Sequence, residues 1–171
     1  MSIESEFLTF SADKLLELVG RIETCAGKLT PQQVWMRGSE NQNAAGNLLL
    51  HLNGNVRQWI LHGVGGRPDV RDRDGEFLAR DGASPEELLK PLRATVEEAA
   101  ALIRALPPER LEDRITPQNH DVTVMAAIYH VVEHFAGHTF QIILLTKMFT
   151  GEDLGFYAHL SGPKLKNKPL A

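Results

Sequence analysis

The sequence predicts an all-α protein, a four-helix bundle with a long crossover between its second and third helices. Three observations support this fold class. Four segments repeat apolar residues every three or four positions, which is the spacing of one helix face. The first and third connections are shorter than the middle one, as in a bundle with one crossover. A chain of 171 residues can also build a single core that buries about 70% of its unfolded surface.

The first helix is expected to begin near Ile3 and to end before Thr30 and Pro31, which interrupt its apolar pattern. Its buried stripe is predicted to consist of Leu15, Leu18, Ile22, Cys25 and Leu29. Cys25 belongs to this stripe, so we expect a small buried residue and not a reactive thiol.

The second helix is predicted to end at Gly63, with an apolar face formed by Leu48, Leu52, Val56, Trp59 and Ile60. His51 is at helical spacing from Leu48 and Asn55, which places it on or beside the buried face. A buried histidine alone is more often a hydrogen-bonded core residue than a metal ligand. The role of His51 therefore depends on a partner cluster elsewhere in the chain.

Residues 63–83 connect the second and third helices and are rich in glycine and charge. Such a length is unusual for an unstructured loop, so the segment is expected to be a crossover along the bundle, a binding loop, or both. Arg71 and Arg73 are candidates for contact with an anionic substrate. Because they alternate with aspartates, surface ion pairs are the favoured interpretation.

The last two helices have clear start signals. Ser84, Pro85 and Glu87 form a capping box with proline at the first helical position. The fourth helix is expected to be capped by Asp121 or Thr123 and to end at Gly151. Its circumference is apolar almost throughout, so we expect the other helices and a second copy of the chain to cover it, giving a homodimer.

Composition limits the class of protein. The net charge of −4 and the absence of a dominant basic patch argue against nucleic-acid binding. No apolar run reaches the roughly 18 residues of a membrane span, and residues 1–6 carry acids where a secretory signal is basic. A single cysteine fits a reducing compartment, so a cytoplasmic location is expected. We predict one domain, residues 1–160, followed by a flexible basic tail, residues 161–171.

Three histidines recur every fourth residue in the fourth helix: His130, His134 and His138. This spacing stacks their side chains on one helix face. Metal sites in bundles use inward side chains of facing helices, so His51 with His134 and His138 would give three nitrogen ligands and leave positions open, as in a catalytic site. Because ligands from two helices also tie the bundle together, His130 is assigned a supporting role.

A second motif overlaps the first. His130, Glu133 and His134 match H-x-x-E-H, the inverted zinc-protease signature in which the glutamate is the general base. That site needs a carboxylate ligand well downstream, and only Glu152 and Asp153 remain, in an expected loop. We therefore favour the three-histidine site and expect Glu133 either to support its ligands or to lie at the surface.

These motifs resemble the DinB/YfiT-like superfamily of small metal-binding four-helix bundles, in particular a bacterial branch catalogued as a domain of unknown function. The resemblance rests on residues 47–52, on residues 71–73 with 76–77, and on residues 130–138 with Gln141. It implies an up-down-down-up arrangement, frequent dimers, and divalent metal bound by the positions of His51, His134 and His138. Many relatives have a glycine two residues after the last histidine, where this chain has Phe140, which is expected to alter helix packing or the pocket wall.

Several members of that superfamily resemble thiol S-transferases that use bacillithiol, mycothiol or glutathione, and others resemble maleylpyruvate isomerases. Our hypothesis is a metal-dependent transferase that joins a low-molecular-weight thiol to a small electrophile, since a divalent ion deprotonates a coordinated thiol. A metal-dependent hydrolase and a non-catalytic, metal-stabilised dimeric stress or interaction module stay open as alternatives. Three imidazoles favour Zn or Ni, with Fe, Cu and Mn as further candidates.

Overall fold

The computed structural model describes residues 2–160. Within that range the α-helices are α1 (Ile3–Ala26), α2 (Pro31–Val34), α3 (Ala45–Val56), α4 (Arg73–Leu78), α5 (Pro85–Ala105) and α6 (Val124–Thr150). Short 3-10 helices cover Pro108–Glu112, Pro117–Asn119 and Ala158–Leu160, and two-residue strands β1 (Arg114–Ile115) and β2 (Val122–Thr123) pair antiparallel. The all-α class predicted from the sequence is confirmed. The predicted basic tail, residues 161–171, lies outside the described residues.

The four long helices contact one another in pairs. Both α1 and α3 pack against α5 and α6, so each long helix is covered by two others. The largest fully buried side chains come from all four: Leu15 and Ile22 of α1, Leu48, Leu49 and Leu52 of α3, Leu92 and Ile103 of α5, and Ile128, Phe135 and Ile142 of α6. These apolar faces form one core cluster, in which Cys25 is fully buried as predicted.

The helix starts follow their sequence signals. The hydroxyl of Ser84 accepts a hydrogen bond from the amide of Glu87, and the Glu87 carboxylate accepts one from the amide of Ser84, which completes the capping box. For α6 the cap is Thr123, whose hydroxyl accepts from the amide of Ala126. Of the two predicted caps, Thr123 is thus the one used. No helix in residues 2–160 is long and apolar enough to cross a membrane.

The second predicted helix differs from expectation in its last eight residues. It continues without a break from α3 into a π-helix, Arg57–Val64, in which the amide of Gly65 donates to the carbonyl of Ile60, five residues earlier. The wider turn accompanies burial of three consecutive residues, Trp59, Ile60 and Leu61. An apolar pattern read at helical spacing does not distinguish this geometry from an ordinary α-helix.

The long crossover is partly helical and is held against α3. Asn47, fully buried at the start of α3, donates from its side-chain amide to the carbonyls of Glu76 and Ala79, both at 2.9 Å. Its side-chain oxygen accepts from the amide of Ala44 and from Arg37. All four hydrogen-bonding positions of the side chain are therefore used. They fix α4 beside the helix that carries His51.

Candidate metal centre

Three histidines from two packed helices converge in the structure. His134 and His138 lie four residues apart on α6, and His51 lies on α3, which packs against α6. One nitrogen from each ring lies within 4.8 Å of the other two, and His51 Nε2 is 2.9 Å from His134 Nε2. The predicted metal-site residues are thus brought together. His130 is not part of this group.

The donor geometry fits a divalent cation. Two nitrogens bound to one ion at about 2.0–2.1 Å are separated by about 3.0–3.4 Å, depending on the angle at the metal. The 2.9 Å between the Nε2 atoms of His51 and His134 is close to that range. All three rings meet edge to face, with centroids 4.5–5.1 Å apart. They can therefore present three nitrogens to a common point.

Oxygen acceptors hold the far nitrogens of two rings. His51 Nδ1 lies 2.9 Å from Glu76 Oε2, and His138 Nδ1 lies 3.0 Å from the side-chain oxygen of Gln141. Arg71 Nη2 also lies 3.1 Å from His51 Nδ1. Because the two oxygens only accept, they favour the tautomer in which Nδ1 carries the hydrogen, and in that tautomer Nε2 keeps its lone pair for a metal ion. Metal-binding histidines in proteins are typically oriented in this way.

Glu76 is itself held by Arg71. The Arg71 guanidinium donates to both carboxylate oxygens, at 2.7 and 2.8 Å, and the side chains are only 2% and 8% exposed. Burial alone would raise the pKa of Glu76, but the hydrogen bonds from Arg71 and His51 outweigh burial and lower that pKa below its usual value. The carboxylate therefore remains charged beside the His51 ring.

This pair corrects the prediction for Arg71 and supplies a residue that the sequence did not identify. Arg71 forms neither a surface ion pair with a neighbouring aspartate nor an exposed anion contact, because it is buried against Glu76. Arg73 is exposed and lies over the ring of Phe77, 5.0 Å from its centroid. The Phe77 ring in turn lies 4.7 Å from the His51 ring. An acid five residues after an arginine is common on surfaces, so the role of Glu76 had no specific sequence signal.

Comparison with known proteins places the chain in a family. The family described as "Protein of unknown function (DUF1572)" matches residues 2–164. The chain belongs to the DUF1572 family. No curated protein matches it. A solved structure described as a conserved protein from Enterococcus faecalis is similar to this DUF1572 chain, with a TM-score of 0.64 over 89% of this chain and 99% of that one. At 15% identity, that likeness concerns the fold alone.

The electrostatic environment favours the neutral form of two rings of this DUF1572 site, those of His134 and His138. Burial and the neighbouring charges of His138 and His51 lower the pKa of His134 to about 3. Burial also lowers the pKa of His138, and the hydrogen bond with Gln141 offsets only part of that effect. Neutral imidazole is the form that binds metal ions, so these two rings are in the form that a metal ion needs.

His130 and Glu133 lie outside the cluster. The His130 ring is stacked on the His134 ring at 5.5 Å and lies 4.2 Å from the ring of Trp59. Glu133 is exposed and forms no hydrogen bond or ion pair with residues 2–160. An inverted zinc-protease site would use His130 with His134, whereas the converging set uses His51. The geometry therefore favours the three-histidine site over the H-x-x-E-H motif.

Proposed function

We propose that this DUF1572 protein binds one divalent ion, Zn or Ni, through His51, His134 and His138 and is a metal-dependent thiol S-transferase. The observation that carries the proposal is the convergence of three imidazoles, one nitrogen of each within 4.8 Å of the others. Three protein ligands leave positions open, which is the pattern of catalytic and not of structural sites. When bound, such an ion lowers the pKa of a coordinated thiol enough to give the thiolate at neutral pH.

The surrounding residues would orient the ligands and exclude water. Glu76 fixes the His51 ring through Nδ1 and increases its basicity, while Arg71 keeps Glu76 charged. Gln141 does the corresponding work for His138 from one turn further along α6. Phe77 packs against one side of the His51 ring, with centroids 4.7 Å apart, and there it would exclude water.

The proposal includes a DinB-like arrangement of the long helices. We propose that α1, α3, α5 and α6 form an up-down-down-up bundle. The packing of α1 and of α3 against both α5 and α6 supports this arrangement. It accounts for a metal site built across the α3–α6 contact. The long crossover then has a function of its own, because it carries Arg71 and Glu76 to the far side of His51.

Metal loading is the primary test. We expect protein purified without a polyhistidine tag to hold about one Zn or Ni per chain, measured by elemental analysis after incubation and desalting. An ion at a concentration 100 times its dissociation constant adds about 2.7 kcal/mol to the free energy of unfolding. For a chain of this size the melting temperature should rise by about 5–10 °C and fall again with chelator. Substoichiometric binding of Zn, Ni, Fe, Cu and Mn would contradict the site.

Turnover separates the transferase from the other functions. Loaded protein is mixed with a small electrophile and, in turn, with bacillithiol, mycothiol and glutathione, and the loss of free thiol is measured. The transferase predicts metal-dependent loss with at least one thiol. Hydrolysis of an ester without thiol consumption would indicate a hydrolase. A loaded protein inactive in both assays would be a metal-stabilised binding module.

We also propose that a second copy of the chain covers α6. The outer face of this helix exposes Met125 and Tyr129 near its start and Phe140, Leu144 and Met148 in its second half, with the exposed Glu133 between the two groups. Phe140, expected to change helix packing or the pocket wall, belongs to this exposed face. Exposed apolar residues concentrated on one helix in this way are typical of a protein interface.

The oligomeric state depends on that face. Leu144→Glu replaces a side chain that is 59% exposed in the single chain, so the fold should persist while a dimer dissociates. We expect wild-type protein to sediment as a dimer and the variant as a monomer in analytical ultracentrifugation. Ile3→Glu, at an apolar and still more exposed position on α1, is the control and should remain dimeric. A monomeric wild type would rule out the dimer.

A further inference from the structure

Two arginines next to the candidate metal centre have no carboxylate partner among residues 2–160. Arg37 Nη2 donates to the side-chain oxygen of Asn47 at 2.6 Å and to the carbonyl of Ala79 at 2.8 Å. Arg80 Nη1 donates to the carbonyls of Phe77 and Ala79, at 2.7 and 3.0 Å. Both guanidinium groups thus contact the same carbonyl oxygen.

The charges of these arginines are uncompensated within the described part of the chain. Because one oxygen accepts from both, the two donor nitrogens lie within about 6 Å of each other, a distance at which like charges repel. Burial, and then the charge of Arg80, lower the pKa of Arg37. Neutral amide side chains could hold these carbonyls without the repulsion. The pair therefore carries more positive charge than a structural clamp requires.

Both guanidinium groups also have unused donors. Each offers five N–H bonds, and only one nitrogen of each is engaged by residues 2–160. Arg37 Nε is buried and has no hydrogen-bond partner there. A guanidinium group with a free edge matches the two oxygens of a carboxylate or a phosphate.

We infer that Arg37 and Arg80 form a binding site for an oxyanion, the carboxylate or phosphate of a small molecule. The position relative to the histidines supports this inference. Arg80 holds the carbonyl of Phe77, whose ring lies 4.7 Å from the His51 ring. Arg37 holds Asn47, one helical turn before His51. The existence of the anion site is argued from the two arginines alone. That the bound oxyanion belongs to the substrate of the metal centre rests on the proposed function.

Binding of succinate and of inorganic phosphate to metal-free protein tests the site. Chelator is removed before titration calorimetry, so that anion binding to a metal cannot contribute. We expect saturable binding of at least one probe at millimolar concentration, and the probe that binds identifies the acid class. Arg80→Gln should weaken binding at least tenfold. Arg80→Lys should weaken it less, because lysine keeps the positive charge and loses only the bidentate donor geometry of the guanidinium group.

The controls separate this site from general charge and from the metal. Arg93→Gln removes the same charge from a partly exposed arginine paired with Glu23 and Glu97, and should leave binding unchanged. His134→Ala should bind the anion like the wild type, so failure of the metal site does not imitate failure of this one. Arg80 is the tested position because Arg37 also supports Asn47. Absence of binding by wild type, or equal binding by the Arg80→Gln and Arg93→Gln variants, overturns the inference.

Discussion

His134→Ala is expected to reduce the metal content from about one ion per chain to a small fraction of that value. The ring of His134 contacts the rings of both His51 and His138, with centroids 5.0 and 4.5 Å away. Its loss leaves two imidazoles on different helices, which is one ligand fewer than the minimum usual for a catalytic zinc site. Elemental analysis and zinc titration of the desalted variant measure the effect. The metal-dependent rise in melting temperature should disappear with the ion.

His51→Ala should have the same effect, and His130→Ala is the matched control. His130 lies on the same helix, one turn before His134, with its ring 5.5 Å from the His134 ring. The His130→Ala variant should therefore retain the metal ion. The opposite pattern, in which the His130 variant loses metal and the His51 variant retains it, would replace the three-histidine site by the H-x-x-E-H motif. Unfolding with chelator present shows whether each variant is still folded.

The histidine cluster could be predicted because its geometry is mostly local. A spacing of four residues fixes the relation of His134 to His138 on any α-helix. His51 required one further step, that the apolar face beside it packs against the fourth helix. That step follows from the apolar pattern, since a helix buries its apolar face. The four-residue spacing alone could not decide whether His130 or His51 is the third metal ligand. That choice required considering how the two helices pack together.

The support of the cluster could not be predicted because it depends on tertiary docking. Glu76 reaches His51 only because α4 is held against α3 by Asn47 and because Gly54 leaves room for the carboxylate. Neither the hydrogen bonds of Asn47 to the crossover nor the space beside Gly54 produces a repeating pattern in the sequence. The π-helical turn that buries Trp59 was missed for the same reason, since its hydrogen bonds are fixed by packing.

Gly54→Ala is expected to disrupt this support. A β-carbon at position 54 would lie 1.9 Å from Glu76 Oε1 and 3.0 Å from Arg71 Nε. A flexible side chain normally moves aside at little cost. This carboxylate is 8% exposed and is held by Arg71 and His51, so moving it breaks a buried ion pair. Breaking such a pair costs about 3–5 kcal/mol.

The gain from replacing a helical glycine by alanine is smaller, about 0.5–1 kcal/mol. The net loss in the free energy of unfolding should therefore be about 2–4.5 kcal/mol, measured by urea unfolding with chelator present. Zinc affinity should fall about 10- to 100-fold, the usual effect of losing a group that orients a ligand. Glu76→Gln should give a similar loss of affinity while position 54 is unchanged.

Gly20→Ala is the matched control for this prediction. Gly20 lies inside α1, and a β-carbon there would meet no atom within 4 Å. That variant should be stabilised by about 0.5–1 kcal/mol and should bind zinc like the wild type. If Gly54→Ala behaved in the same way, the Glu76 carboxylate would be free to move. The His51 ring would then be oriented by its contacts with Phe77 and the other histidines, without help from the crossover.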